Sequence, residues 1–229
     1  MRRALVTGAA AGIGAAIAER LTADGYEVTT LDVAQGCDLQ VDLVGDEIPD
    51  LGVVDVCVSN AAITDTVAPA HRMTPEQWSR DIDVNLTGAF RAVQACLPGM
   101  RDREWGRIVV ISSGAAVDGL SGQIAYSASK AGLLGMVKTL AVEGVRRGIT
   151  ANAILPGMVA TEKVMAMPEE ILDRLREVLP SGRMAEPSEV AALVSFLASE
   201  NAGYITGQTI GVDGGSGLNT FTLGSQRRD

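Results

Sequence analysis

The sequence of 229 residues contains a single histidine, His71, and aromatic side chains make up only 3% of it. Histidine is the usual proton carrier near neutral pH, so any acid–base chemistry in this chain is expected to use another group. We expect His71 to be a surface or substrate-loop residue. Glycine, in contrast, is abundant at 26 residues, which indicates close packing and close approach of the backbone to a ligand.

The chain also lacks an excess of positive charge and any long apolar run. Its net charge is −9, which argues against a partner with a phosphate backbone. No apolar run reaches the roughly 18–20 residues that a membrane span needs. The arginines at positions 2 and 3 are followed too soon by glycines to form a signal peptide, and no cleavage site follows. We therefore expect neither a nucleic-acid nor a membrane partner.

Cysteine is scarce. Cys37, Cys57 and Cys96 are odd in number and widely spaced, which fits neither a disulfide framework nor a C-x-x-C metal site. We interpret them as reduced core thiols of a cytoplasmic protein, and we predict no metal site.

Short apolar segments alternate with helical patterns along the whole chain. The segments are rich in β-branched residues and bounded by turns, as expected for strands covered on both faces. Predicted helices span residues 13–24, 126–146 and 188–199. TPEQW (74–78) opens another, with Thr74 as the N-cap of a capping box, Pro75 at N1 and Gln77 at N3. This alternation predicts a single α/β domain over residues 1–229, a doubly wound Rossmann-type parallel sheet with helices on both faces. The predicted strands are RALVT (3–7), YEVTTLD (26–32), VVDVCVS (53–59), GRIVVIS (106–112) and ITANAIL (149–155).

One connection is too short for this pattern. Only residues 33–52 separate the second and third of these segments, which leaves no room for a helix, a strand and another helix. We predict a shortened edge-strand region, with a short strand near DLQVDL (38–43) and its flanking helices reduced to turns.

A glycine-rich turn, TGAAAGIG (7–14), follows the first strand and opens the first helix. Gly8, Gly12 and Gly14 would let the backbone approach a pyrophosphate at the helix N-terminus. The turn is not a P-loop, because no Lys-Ser/Thr follows its last glycine. Asp32, 18 residues after Gly14, is placed to accept hydrogen bonds from ribose hydroxyls. The alternative for the glycine turn is a tight turn that binds no ligand. The alternative for Asp32 is a solvated aspartate in a turn.

Tyr126 and Lys130 are four residues apart and share a helix face. A nearby ammonium stabilises a phenolate and lowers the tyrosine pKa, which would make Tyr126 a usable acid–base group. Ser113 directly follows the predicted strand GRIVVIS (106–112), and the carboxyl ends of parallel strands carry the ligand sites. Ser113 and Tyr126 can therefore converge on one substrate oxygen. A lone Y-x-x-x-K pair more often lies on a protein surface without a function. The prediction therefore depends on its combination with Ser113 and the glycine turn.

Together these residues resemble the classical short-chain dehydrogenase/reductase family. The resemblance spans nearly the whole chain, and YITGQTIGVDGG (204–215) is similar to the final strand of the 3-oxoacyl-carrier-protein reductase subgroup. The matching motifs, in order, are T-G-x-x-x-G-x-G at 7–14, SNAA at 59–62, Asn85 in VNLTG, Ser113, Y-x-x-x-K at 126–130 and P-G-x-x-x-T at 156–161.

The resemblance implies a set of catalytic roles. Tyr126 would be the acid/base, and Lys130 would bind the nicotinamide ribose and lower the tyrosine pKa. Ser113 would hydrogen-bond the substrate oxygen, and Asn85 would anchor a water of the proton relay. The implied cofactor contacts are Gly8, Ala11, Gly12, Ile13, Gly14, Asp32, Asp42, Leu43, Asn60, Ala61, Ala62, Tyr126, Lys130, Pro156, Gly157, Val159 and Thr161.

The sequence departs from the family pattern at several points. Ser59 and Ala62 replace an asparagine and a glycine of the family motif, and the Ala62 methyl is expected to narrow the cofactor groove. Ala10 and Ala11 stand where members that prefer NADP often carry a serine and a basic residue. With Asp32, they predict NAD as the cofactor.

We therefore predict an NAD-dependent oxidoreductase that transfers a hydride between NAD(H) and a small-molecule secondary alcohol or ketone. The alternative is a 3-oxoacyl-(acyl-carrier-protein) reductase. A non-catalytic protein of the same fold would be expected to lose Tyr126, Lys130 or Ser113. A serine hydrolase is disfavoured because the chain has no G-x-S-x-G motif.

Three regional expectations complete the prediction. Residues 158–185 are expected to cover the substrate, with Met158, Met165 and Met167 forming either an adaptable apolar lid or a core-facing stripe. Residues 216–229 are expected to form a C-terminal tail. Small residues on the 126–147 helix predict close approach of a partner helix and, with the resemblance, a homotetramer; they are Ala128, Ala131, Gly132 and Gly135.

Overall fold

The computed structural model describes residues 1–218. Its strands form one sheet in which every neighbouring pair is parallel. The strands are β1 (Arg3–Thr7), β2 (Glu27–Asp32), β3 (Leu39–Gln40), β4 (Val56–Ser59), β5 (Gly106–Ile111), β6 (Ile149–Pro156) and β7 (Thr209–Val212). Their order is β3-β2-β1-β4-β5-β6-β7. The predicted doubly wound Rossmann-type sheet is confirmed.

Helices cover both faces of the sheet. Besides short 3-10 turns and a π-helical segment at Asp83–Thr87, they are α1 (Gly12–Ala23), α2 (Pro75–Ile82), α3 (Gly88–Asp102), α4 (Ala115–Asp118), α5 (Ile124–Gly144), α6 (Glu162–Met165), α7 (Glu169–Val178) and α8 (Pro187–Ala198). Helices α3 and α5 pack one core on one face of the sheet. Helices α1 and α8 pack a second core on the other. The alternating side chains of each strand supply both cores.

The predicted helix ends agree with the structure to within two residues. Helix α1 is followed by Gly25, whose φ of +88° is the left-handed conformation that suits a glycine after a helix. Helix α2 begins with the predicted capping box, in which the Thr74 hydroxyl and the Gln77 side chain each accept the other's backbone N–H. Strand β4 begins at Val56 rather than Val53, and β5 ends at Ile111, so Ser113 lies just beyond the strand.

The edge of the sheet is shortened as predicted. Strand β3 has two residues, and among the described residues no helix lies between Asp32 and Val56. Parallel strands normally need a crossover of a dozen residues or more, yet residues 33–38 suffice here because β3 pairs only with the end of β2. The Asp38 carboxylate accepts hydrogen bonds from the backbone N–H and hydroxyl of Thr30 at 2.8 and 2.7 Å, which closes this loop.

The cysteines and the single histidine lie largely where the sequence predicts, except that Cys37 is not in the core. Cys57 and Cys96 are buried, Cys37 is half-buried, and all three thiols are free. His71 is exposed in a 3-10 turn. In the described part of the chain, no helix is long and apolar enough to cross a membrane. Most of the predicted C-terminal tail, residues 219–229, lies outside the described residues.

Candidate active site

The glycine-rich turn between β1 and α1 is built so that two of its glycines are required by the fold itself. A Cβ on Gly14 would lie 2.0 Å from the Gly8 carbonyl oxygen, and a Cβ on Gly8 would lie 2.7 Å from Ala61 Cα. Gly8 and Gly12 also have φ values of +65° and +57°, a region that favours glycine. The turn therefore brings the N-terminus of α1 close to the loop after β4.

Asn60 braces this turn from the end of β4. Its side-chain amide donates to the carbonyl oxygens of Thr7 and Gly8, each at 3.0 Å. The Thr7 hydroxyl in turn accepts the backbone N–H groups of Asn60 and Ala61, both at 3.0 Å. The SNAA motif thus holds the glycine turn through side-chain to backbone bonds, which satisfy buried polar groups.

Asp32 ends β2 with its carboxylate directed along the edge of the same turn. One oxygen accepts the Ala10 N–H and the other accepts the Ala34 N–H, each at 3.0 Å. These bonds fix the orientation of the carboxylate, and an ionised carboxylate oxygen retains further acceptor capacity. Asp32 is therefore positioned to receive hydrogen bonds from a hydroxyl-bearing ligand.

A cleft of about 700 Å³ opens between the glycine turn, the ends of β2 and β4, and the segment after β6. Twelve of the predicted cofactor residues line it, namely Gly8, Ala11, Gly12, Ile13, Gly14, Asp32, Asp42, Leu43, Asn60, Ala61, Ala62 and Thr161. These residues come from distant parts of the chain, and the sheet order brings them together at the carboxyl ends of the central strands.

The cleft suits the diphosphate of a dinucleotide. No side chain caps the N-terminus of α1, where Ala11 is the N-cap residue, so its backbone N–H groups remain available to an anion. A Cβ on Gly12 would lie 3.2 Å from Thr161 Cγ2 and would fill the gap between the turn and that side chain. Gly12 thus keeps open the space that a pyrophosphate would need.

Ser113, Tyr126 and Lys130 are not among the residues that line this cleft. Gln123, just before α5, donates a hydrogen bond at 2.9 Å to the carbonyl of Thr64, which does line the cleft. Tyr126 therefore stands in the first turn of a helix that is tied to the cleft rim. The Ser112 hydroxyl donates to the Lys130 carbonyl at 2.9 Å, which joins the end of β5 to the same helix.

Burial governs the titration of this pair. Burial raises the pKa of Tyr126 above its usual value, and an opposing interaction with the Ser113 hydroxyl lowers it by less. Lys130 is 3% exposed, and burial lowers its pKa to about 8. Its ammonium donates to the Ile111 carbonyl at 2.8 Å. The predicted lowering of the Tyr126 pKa is therefore wrong for this arrangement, because burial dominates and the ammonium is directed at a backbone carbonyl.

Asn85 lies in the π-helical segment Asp83–Thr87, fully buried between α2 and α3. Its side-chain oxygen accepts the Ile63 N–H at 2.7 Å, and its amide donates to the Ile63 carbonyl at 3.0 Å. Such π-turns occur frequently at functional sites. Because Ile63 uses both ends of the side-chain amide, Asn85 fixes the loop that follows β4.

Besides Tyr126 and Lys130, three predicted cofactor residues, Pro156, Gly157 and Val159, do not line the cleft. Pro156 ends β6, and a Cβ on Gly157 would meet Asp213 Cα at 2.9 Å, so that glycine faces the segment after β7. Val159 is buried in the core formed by α1 and α8. Of the motif at 156–161, Thr161 alone lines the cleft.

The segment after β6 carries α6 and α7 and exposes its methionines. Met165 and Met167 are 45% and 39% exposed, and Met158 is half-buried. The structure thus favours the apolar surface over the core-facing stripe for Met165 and Met167. In α7, only Leu172 is buried.

Sequence reasoning missed about half of the cleft wall. Val33 and Ala34 follow Asp32, and Ile63 and Thr64 follow the SNAA motif, so their position after a strand end was an available signal. Arg80 and Lys163 carry no such signal. Arg80 pairs with Asp65 at 3.2 Å. The pKa of Asp65 is lowered first by its own backbone N–H, and then by Arg80 and Lys163. The complete set of additional lining residues is Ala10, Leu31, Val33, Ala34, Val41, Val44, Ile63, Thr64, Arg80, Val84, Glu162 and Lys163.

The Ala62 methyl, expected to narrow the groove, faces the cleft without backbone strain. Among residues 1–218, Glu104 is the only residue other than glycine with a positive φ. Alanine at position 62 therefore adopts an ordinary conformation.

Comparison with known proteins identifies the family. The family described as Enoyl-(Acyl carrier protein) reductase matches residues 37–217. The chain is 47% identical to the acetoacetyl-CoA reductase of Rhizobium meliloti (strain 1021), over 93% of this chain and 98% of that protein. It is 39% identical to the 3-oxoacyl-[acyl-carrier-protein] reductase MabA of Mycobacterium bovis, over 95% and 93%.

A solved structure shows the same architecture. An oxidoreductase of the short chain dehydrogenase/reductase family from Burkholderia thailandensis superposes with a TM-score of 0.86 at 36% identity, covering 95% of this chain and 93% of that one. The chain thus combines one cleft, formed by the glycine turn and Asn60 and joined to the Y-x-x-x-K helix, with sequence similarity to known reductases. This chain belongs to the short-chain dehydrogenase/reductase family and is an oxidoreductase that uses a nicotinamide dinucleotide, NAD(P).

Proposed function

We propose that this enzyme transfers a hydride between NAD(H) and the 3-position of an acyl thioester. The 3-oxoacyl thioester is the ketone of this reaction, and the 3-hydroxyacyl thioester is the secondary alcohol. The observation that carries the proposal is the position of Tyr126, at the start of a helix that Gln123 ties to the rim of the dinucleotide cleft. From there, Tyr126 would reach a carbonyl held at the open end of that cleft.

The cofactor would lie across the carboxyl ends of the central strands. The N–H groups at the start of α1 would bind its pyrophosphate, Asp32 would accept hydrogen bonds from the adenosine ribose, and Asp42 and Leu43 would flank the adenine. Thr161 would contact the nicotinamide side. When bound, NAD(H) supplies or accepts the hydride.

Tyr126 would give a proton to the substrate oxygen in reduction and take it back in oxidation. Its raised pKa keeps the phenol protonated at neutral pH, the form that reduction requires. Ser113 would hold the same oxygen by a hydrogen bond. Lys130 would bind the nicotinamide ribose, and its charge would favour the phenolate once it turns from the Ile111 carbonyl toward the ribose.

The substrate class is inferred from the relatives. They are named for acetoacetyl-CoA and for 3-oxoacyl groups on acyl carrier protein, and both names denote a 3-oxoacyl thioester. The exposed Met165 and Met167 after β6 are suited to an acyl chain, because methionine adapts to irregular apolar ligands.

NAD is proposed as the preferred cofactor on electrostatic grounds. The Asp32 carboxylate would lie beside the 2′-phosphate of a bound NADP, and Ala10, whose N–H donates to that carboxylate, carries no charge that could offset the repulsion. Arg2 and Arg3 lie at the opposite end of β1, where they pair with Glu200 and Glu27. The two basic residues of the cleft, Arg80 and Lys163, interact with Asp65 instead.

We also propose that four chains assemble and that the protein is cytoplasmic. Exposed apolar side chains support the assembly: Phe90 on α3 is 44% exposed and Val142 on α5 is 78% exposed. Of the small residues on α5, Ala131 and Gly135 are exposed, whereas Gly132 packs against Leu86 of its own chain. The free thiols of Cys57 and Cys96 support a reducing compartment.

The test is a panel of substrates assayed in both directions. Acetoacetyl-CoA and an acetoacetyl-carrier protein would be reduced with NADH, and 3-hydroxybutyryl-CoA, cyclic alcohols and steroid alcohols would be oxidised with NAD. We expect kcat/KM for the thioesters to exceed that for the other alcohols by at least tenfold. Preference for a cyclic or steroid alcohol would overturn the thioester assignment while leaving the oxidoreductase intact.

A further inference from the structure

The adenine end of the cleft stands on a segment without regular structure. Val41, Asp42, Leu43 and Val44 line the cleft consecutively, yet no helix lies between β3 and β4 to support them. The Leu43 side chain is buried, whereas Asp42 and Val44 are exposed. A wall of this kind needs contacts from another element to keep its shape.

The turn itself is held by local bonds. The Asp42 N–H donates to the Asp46 carboxylate at 2.8 Å, and the Val44 N–H donates to the Asp42 carboxylate at 2.9 Å. The Asp46 N–H donates to the Asp42 carbonyl at 2.9 Å. These bonds engage the N–H groups of Asp42, Val44 and Asp46, whereas the carbonyls of Leu43, Val44 and Asp46 accept from another element.

One side chain of α3 supplies those donors. The Arg91 guanidinium donates to the carbonyls of Leu43 and Val44 through one nitrogen, the latter at 2.8 Å, and to the carbonyl of Asp46 through the other nitrogen at 2.6 Å. A planar guanidinium can span several acceptors at once, which a lysine ammonium cannot do in the same geometry. The bonds are charge-assisted and therefore stronger than those between neutral groups.

A glycine one turn earlier completes the docking. A Cβ on Gly88 would lie 3.1 Å from Leu43 Cβ, so the turn rests directly on the start of α3. This helix also continues the π-helical segment that carries Asn85. Arg91 and Gly88 therefore fix the wall of the cleft to α3, the helix that follows the π-helical segment Asp83–Thr87.

We propose that Arg91 is a positioning residue for the adenosine half of the cofactor. It does so by holding the carbonyls of the 43–46 turn, in place of the helices that the shortened edge lacks. The inference rests on the proposed function for the direction in which the cofactor lies. It predicts that Arg91 acts on the affinity for the cofactor and leaves the chemical step alone.

The experiment compares three variants: Arg91→Met, Arg91→Lys and, as the matched control, Arg101→Met, which changes an exposed arginine on the same helix. Calorimetry would measure binding of ADP-ribose, which lacks the nicotinamide ring. Steady-state kinetics would compare NADH with reduced nicotinamide mononucleotide, which lacks the adenosine half.

We expect Arg91→Met to weaken ADP-ribose binding roughly tenfold or more, the loss that one charge-assisted hydrogen bond entails. Arg91→Lys should fall between this variant and the wild type, and Arg101→Met should match the wild type. The KM for NADH should rise in parallel with kcat unchanged within twofold, and turnover with the mononucleotide should stay the same.

Unchanged ADP-ribose affinity in folded Arg91→Met, or an equal loss with the mononucleotide, would overturn the proposal. If Arg91→Met does not fold, Arg91→Lys decides on the same readouts. Because ADP-ribose binding needs no substrate, a failure of the thioester assignment would leave this measurement intact and separately readable.

Discussion

The ammonium nitrogen of Lys130 lies 5.8 Å from the centroid of the Tyr126 ring, one turn along the same face of α5. The ammonium is buried and its pKa is lowered to about 8. The pKa of Tyr126 is raised by the same burial. Burial thus disfavours the charged forms of both groups: it keeps the phenol protonated and makes the ammonium more acidic than that of an ordinary lysine.

The buried Lys130 should give the enzyme a specific dependence of stability on pH. Its folded pKa of about 8 lies below the unfolded value of about 10.4. Between these values the unfolded chain binds the proton that the folded chain does not, so stability rises with pH. Relative to Lys130→Met, the wild-type free energy of unfolding should gain about 3 kcal/mol from pH 7 to pH 10.5.

Urea unfolding of both proteins across this pH range measures the difference. Taking the difference removes the titrating groups that do not interact with Lys130, which the two chains share. Lys138→Met, which replaces an exposed lysine on the same helix, provides the control for losing a lysine without altering a buried site. A flat difference for Lys130→Met would mean that Lys130 keeps an ordinary pKa.

The cofactor preference should follow from the charge of Asp32. A negative unit charge on the 2′-phosphate of NADP, about 4 Å from the carboxylate, would be repelled by about 1 kcal/mol in water and about 4 kcal/mol near a protein surface. The kcat/KM for NAD should therefore exceed that for NADP by between about fivefold and several hundredfold. Asp32→Asn removes the charge and keeps an acceptor, so it should reduce this ratio. Asp24→Asn, a change at an exposed aspartate that pairs with Arg20, is the control.

Equal use of both cofactors by the wild type would contradict this account, because Asp32 would then not face the ribose. The ratio is best measured with a single substrate under subsaturating cofactor.

Assembly should depend on the exposed face of α5. Nothing lies within 4 Å of a Cβ built on Gly135, so a larger residue there fits the single chain. Gly135→Arg should leave helix content and secondary structure unchanged, since arginine favours helices more than glycine does. It should also convert tetramers into smaller species in light scattering at micromolar concentration. A stable wild-type monomer would refute the tetramer.

The parts of the fold that follow from local pattern could be predicted. β-Branched apolar runs located the strands, Thr74 and Gln77 located the start of α2, and the short stretch after Asp32 indicated the reduced edge. These features depend on neighbours in sequence. The closing of that edge by Thr30 and Asp38 was not predicted, because it depends on how far β3 pairs along β2.

The site was predicted where motifs sit at strand ends and missed where distant elements meet. Asp32 and Asn60 follow strands and line the cleft as expected. Arg80 and Lys163 reach it only because α2 and α6 fold over it. The direction of the Tyr126 pKa was also missed, since burial is a property of the whole packing and cannot be read from the i, i+4 spacing with Lys130.

The central claim is that Tyr126 moves the proton in an NAD-linked reduction of a 3-oxoacyl thioester. Tyr126→Phe keeps the ring and removes only the hydroxyl, and general acid–base catalysis contributes roughly 10²–10⁴ in rate. The decisive measurement is kcat for acetoacetyl-CoA reduction by wild type, Tyr126→Phe and the control Tyr204→Phe, whose tyrosine is fully exposed. Calorimetry would show equal NADH affinity in all three. The account predicts a loss of at least about 100-fold for Tyr126→Phe alone; activity within about threefold of wild type would contradict it.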